Sequence, residues 1–284
     1  KLQYNGWLLE HKEMLRMSTV LLTALALIAY LVATGSVLLR IFHPQGPHFK
    51  TTFSAAIIGL VLHMLVLATM LFTEQGQNFS LLNVSSLVCW LITVAVTLTS
   101  LRSPAILLLP VVYGFASLMQ LAVLTLPHSV QLQHFEQNIG LLVHILLAFI
   151  AYAVLIMAML YSFQVSYISS KLKQKDFAAM TRHMPPLVQA EVLQFRILLA
   201  GTVLLGLALL VAALFMDNWL AKENLHKNVF SFAGFVVFAL LCWGHAKLGW
   251  RGKTANILTI SGAALLTLGY FGSRFVREVL LNTL

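Results

Sequence analysis

Carboxylates are scarce in this chain: nine Asp and Glu stand against 18 Lys and Arg, and charged residues make up only 10% of 284. About a quarter of a soluble domain is charged, so this composition excludes an ordinary soluble fold. Glu74, Glu136, Asp217 and Glu223 all fall in connections between apolar runs. Paired acids within a span would mark a proton relay or cation path, and the runs contain none. Cysteine is almost absent too. Cys89 and Cys242 both sit in apolar runs without a C-x-x-C pair, which excludes thiol–disulfide chemistry and a thiolate zinc site. The chain has no H-E-x-x-H, no G-x-S-x-G and no P-loop, the patterns of metalloproteases, hydrolases and NTPases. No bond-making catalysis is expected. Low-complexity tracts and a duplicated half are also missing.

What is present is hydrophobic: 60% of the residues, with mean hydropathy +0.88. About 20 apolar residues cross a bilayer. By that rule spans lie near 18–39, 53–72, 83–101, 104–126, 139–167, 194–216, 228–246 and 255–281. The expected fold is therefore all-α, a polytopic membrane helix bundle of about eight transmembrane helices, with 17–284 as one transmembrane domain. Pro110 interrupts the fourth span and is expected to kink it. Gly201 and Gly206 in the sixth, and Gly262, Gly269 and Gly272 in the eighth, allow close backbone approach. In QNFSLLNVSSL, which opens the third span, Ser and Asn side chains are suited to cap a helix or receive an anion.

The net charge of +9 does not indicate nucleic acid, because the cations are dispersed among loops. One set of connections holds Arg40 and Lys50, then Arg102, then Lys171, Lys173, Lys175 and Arg182, then Lys247, Arg251 and Lys253. The alternate set is nearly bare. The positive-inside rule puts the first set in the cytoplasm and both termini outside, with anionic lipid heads beside the basic loops. Lys1, Lys12 and Arg16 oppose that assignment; residues 1–16 therefore read as an upstream, non-native extension before Met17. In the longest connection, 168–193, Pro185 and Pro186 break the chain, and LVQAEVLQF is expected to form an amphipathic turn or two before the sixth span.

Three histidines interrupt otherwise lipid-compatible runs: His63, His144 and His245. An ionisable ring in a span is a candidate functional site, and imidazole is the commonest metal and haem ligand. His63 falls about 15 Å from its cytoplasmic boundary, near mid-depth, His245 at the cytoplasmic end of its span, and His144 about 8 Å inside the outer boundary. One iron cannot take all three. His63 and His245 are the candidate inner pair and His144 an outer single. For each the bland alternative is a hydrogen bond to a neighbouring helix or a trapped water. The other histidines read as solvated, with His128, His134 and His226 in reserve as outer ligands.

Several segments then carry a resemblance: QNFSLLNVSSL, the helix LLVHILLAFIAYAVLIMAMLYSFQ around His144, MPPL with nearby Glu191, and CWGHAKLGWRGKTANILTISGAALLTLGYFGSR. Their order resembles the cytochrome c assembly family of bacterial membrane proteins, which includes CcsA, CcmC and CcmF, and within it the short YpjD-like and HemX-like members. The run Gly249, Trp250, Arg251, Gly252 is its most specific piece. The resemblance implies a bacterial inner-membrane protein that handles haem and has other cytochrome c assembly subunits as partners. It implies haem b held non-covalently, with His63 and His245 as axial ligands to the haem iron and His144 as an outer cofactor-binding histidine. Trp243, Arg251 and Tyr152 are candidates to orient the rings.

Two features depart from the family. The outer loop MDNWLAKENLHKN has Trp219 and Asp217 but no tryptophan cluster, and no histidine follows His245. The aromatic platform and second outer ligand of a haem ligase are therefore missing. Haem transport or binding within the bundle, or an accessory role in cytochrome complex assembly, fits better. The rival readings are a small-solute or ion transporter, and a membrane scaffold that has lost its haem site.

Overall fold

The computed structural model describes residues 2–41, 43–102, 106–127, 129–133, 139–175, 184–215, 225–276 and 278, with backbone alone for 2–16, 225 and 226. Eight helices run through these residues: α1 (Leu2–Leu38), α2 (Phe49–Leu71), α3 (Leu81–Ser100), α4 (Leu109–Thr125), α5 (Ile139–Lys173), α6 (Leu187–Phe215), α7 (Leu225–Leu248) and α8 (Gly252–Thr267). A π-helical turn, Leu268–Gly272, and a last turn, Ser273–Phe275, extend α8. Seven helical segments are long and apolar enough to cross a membrane, and α4 is a shorter apolar helix. The chain is an all-α, multi-pass membrane protein.

The boundaries correct two expectations. Pro110 is the second residue of α4, not a kink within a longer span. Its fixed φ suits a first helical turn, where its missing N–H has no intrahelical partner to lose. LVQAEVLQF is no separate amphipathic turn either. It is continuous with α6 from Leu187 onward, directly after the proline pair.

The described chain gathers into two compact units. The first comprises residues 1–97 and 109–133. In it α1 packs on both α2 and α4. The fully buried ring of Tyr30 lies against Gly59, where any Cβ would fall 2.9 Å from it. Three short strands close one end: β1 (Phe72–Thr73), β2 (Gly76–Asn78) and β3 (Leu132–Gln133), with β2 in the middle and both pairings antiparallel. Asn78 ties this end together. Its Oδ1 accepts from the Ser80 and Gln131 amides, and its Nδ2 donates to the Ser129 carbonyl. Ser80 caps α3, its Oγ accepting from the Asn83 amide at 3.4 Å. The capping expected of QNFSLLNVSSL is therefore present.

The second unit comprises residues 98–108 and 134–284. Its strongest pairing is α5 with α6. On α6 the buried positions Ala190, Gln194, Ile197, Gly201, Leu205, Ala208 and Ala212 recur at intervals of three and four, the stripe a packed helix needs. Leu199, Val203, Leu207, Leu210 and Leu214 are exposed on its other side, as a lipid-facing surface requires. Gly201 lets the helices close: a Cβ there would sit 2.8 Å from Leu155 and 3.2 Å from Val154. Gly206, Gly262 and Gly269 meet Phe235, Phe238 and Phe230 as closely, whereas Gly272 meets nothing within 3.6 Å. Polar pairs add to the seams. Asn256 bonds both Ser162 and Ser166, and the Tyr152 hydroxyl meets Thr267 at 2.8 Å.

Candidate functional site: three histidines

His63 is carried by α2 in the first unit and has no exposed surface. Its Nδ1 lies 3.2 Å from the Tyr30 hydroxyl and its Nε2 lies 2.9 Å from Ser86 Oγ. Both partners are hydroxyls, which donate or accept as needed, so both ring nitrogens are satisfied whichever tautomer is present. Tyr30 also stacks on Tyr113, whose hydroxyl meets Thr97 at 3.1 Å. An iron ligand needs a free nitrogen lone pair, and His63 offers one only by giving up a hydrogen bond.

His144 and His245 belong to the second unit and are built differently. His144, on α5, has Nδ1 2.8 Å from the Ala208 carbonyl of α6. A carbonyl only accepts, so Nδ1 carries the proton, and in the neutral ring the Nε2 lone pair is left over. His245, near the end of α7, has the same arrangement, with Nδ1 2.9 Å from the Trp250 carbonyl. This is the orientation that metal-bound histidines use: one nitrogen held by a carbonyl, the other turned to the ligand. His245 is also stacked on Phe195, ring centroids 3.4 Å apart and 9° from parallel. Both histidines are half-buried.

The Gly-Trp-Arg-Gly run is what brings the Trp250 carbonyl back to His245. Gly249 and Gly252 have φ of +67° and +57°, a left-handed conformation that costs other residues about 1–2 kcal/mol. The chain folds back so that the Trp250 amide donates to the Gly244 carbonyl at 3.2 Å. The indole then covers Gly244 so closely that no Cβ would fit there. Gly244 makes room, Gly249 turns the chain, and Trp250 presents its carbonyl.

The orienting groups are thus backbone carbonyls and Phe195, which the sequence reading did not select. Trp243 is 55% exposed, the Tyr152 hydroxyl is committed to Thr267, and Arg251 sits exposed at the start of α8. The contacts of His245 and His144 fall at positions 195 and 208 of α6, about 20 Å apart along its axis. These two rings cannot share one metal. Among the described residues, no group of three or more His, Cys, Asp or Glu could hold a bare metal ion. A macrocycle-bound iron needs only one or two protein ligands, so single open imidazoles fit that class and not a metal-ion cluster. His128, His134, the loop residues Asp217 and Trp219 and the side chain of His226 lie outside the described residues.

Comparison with known proteins agrees with the resemblance read from the motifs. The family described as cytochrome C assembly protein matches residues 51–281. The inner membrane protein YpjD of Escherichia coli K12 is 39% identical over 258 residues, covering 90% of this chain and 97% of that protein. An uncharacterized 28.8 kDa protein of Azospirillum brasilense is 37% identical over 141 residues, covering 49% of this chain and 52% of its own. No solved structure matches the chain.

Proposed function

Because the chain belongs to the cytochrome c assembly protein family, we propose that it is a haem-handling protein of the bacterial inner membrane that binds haem b non-covalently through membrane histidines. The observation that carries this reading is His245: ring fixed by Phe195, Nδ1 held by the Trp250 carbonyl, Nε2 lone pair open. His144 repeats the arrangement against Ala208 and serves a second, separate site. His63 keeps a structural role, since both its nitrogens are engaged. Bound haem supplies redox-active iron; the chain's own residues bind, orient and shield it. No bond is made or broken by the protein. Its role is accessory, in haem transfer or cytochrome complex assembly alongside other assembly subunits. The basic connections face the cytoplasm and both termini face outward.

Optical spectroscopy tests this. Protein purified from haem-replete membranes is expected to show a haem spectrum that sharpens with dithionite. His245→Ala and His144→Ala each remove their own share of it, while His63→Ala leaves the spectrum and lowers stability. A colourless protein that takes up no added haem overturns the proposal and leaves the scaffold reading.

A further inference from the structure

Three buried side chains of α5 and α6 carry polar atoms that have no hydrogen-bond partner among the described residues. Tyr161, Gln164 and Gln194 are 1%, 2% and 1% exposed. The Tyr161 hydroxyl, both amide atoms of Gln164 and the Gln194 Nε2 have no hydrogen-bond partner among the described residues. Buried polar groups are nearly always paired, so four orphaned atoms in one seam call for an occupant.

Helix register brings them together. α5 and α6 run antiparallel, with His144 against Ala208 and Val154 against Gly201. Seven residues are close to two helical turns and return to the same face. Tyr161 stands seven beyond Val154, and Gln194 seven before Gly201, so they meet at one level across the seam. Gln164 follows Tyr161 by three, on the neighbouring position of α5. The seam is apolar on either side of this level, with Leu155 against Gly201 at one end and Val165 with Ala190 at the other. The next residue on α6 after Gln194 is Phe195, which carries the His245 ring.

We propose that Tyr161, Gln164 and Gln194 receive the carboxyl group of a membrane-soluble ligand. Three of the orphaned groups donate: the phenol O–H and the two amide NH2 groups. Together they match the oxygens of a carboxyl, and a protonated carboxyl returns its own O–H to Gln164 Oε1. Two sources share this chemistry, the propionate side chains of a porphyrin and the head of a fatty acid. The level of His245 on α6 favours the porphyrin, and to that extent the inference rests on the haem reading above.

The test uses metal-free protoporphyrin IX, which has the carboxyls without the iron, and its dimethyl ester, which has neither acid. Both are titrated into the detergent-solubilised protein and followed by porphyrin fluorescence. The acid is expected to bind about tenfold tighter than the ester, the scale of one or two buried hydrogen bonds. Gln164→Leu and Gln194→Leu are expected to erase the difference, with melting temperature checking that each variant is folded. Oleate displacing the acid with equal potency supports the carboxyl site and assigns it to a lipid. Equal binding of acid and ester by the unaltered protein overturns the proposal, even where haem still gives the His245-dependent spectrum. A retained acid preference without any haem spectrum overturns the histidine reading alone. Variants that do not fold leave the acid-versus-ester comparison on the unaltered protein to decide.

Discussion

A buried imidazole is defined by what its two nitrogens meet, and the three histidines here divide on that point. His63 is closed by Tyr30 and Ser86. Ser86→Ala should therefore strand Nε2 in the core and cost about 1–3 kcal/mol, read as a lower melting temperature with the haem spectrum unchanged. A Ser86→Ala protein as stable as its parent would mean that His63 is not held by this bond. The sequence made the histidines easy to find, because a polar ring stands out in an apolar run. It did not make their partners visible. Those of His63 and His144 come from positions 23 to 64 residues away, and the nearby Trp250 carbonyl reaches His245 only through the backbone turn; ring chemistry follows the partner. Gln164 and Gln194 escaped notice for a related reason. An uncharged amide in an apolar span passes as tolerated until its surroundings are known to leave it unpaired.

The most informative element is the turn from α7 into α8. Its motif was legible as a family mark, but its purpose depends on backbone signs and distances that a sequence does not print. Gly244→Ala should displace the Trp250 indole, because the new methyl has no space. The expected cost is about 1–3 kcal/mol, accompanied by a change in the His245-dependent part of the spectrum as the orienting carbonyl moves. Melting and optical titration of one preparation measure both. An unaltered spectrum would separate the turn from the histidine. Pro110 teaches the converse lesson. Proline predicts a break wherever it stands in a span, yet whether it kinks a helix or begins one depends on where the preceding residues stop being helical. Residues 106–108 form turns here, and the helix starts at Leu109.

Across the whole molecule, the multi-pass architecture was the most legible property, because hydropathy over about 20 residues is a physical length. Seven full spans and the shorter α4 match the expected eight. Orientation rests on the asymmetry of Lys and Arg alone. Single cysteines placed at Gln174 and at Gln75, in a background without Cys89 and Cys242, test it: a membrane-impermeant thiol reagent added to intact cells should label position 75 and spare position 174. The opposite labelling would invert the topology. The Trp250 peptide has a consequence at this scale as well. It belongs to the link that opens α8, and it also holds the His245 ring of α7. Free-energy coupling between two events is reciprocal. A ligand taken at Nε2 makes the Nδ1 proton a stronger donor, and so tightens the joint between the two helices. Stiffening that joint from any other direction raises affinity at the ring by the same amount.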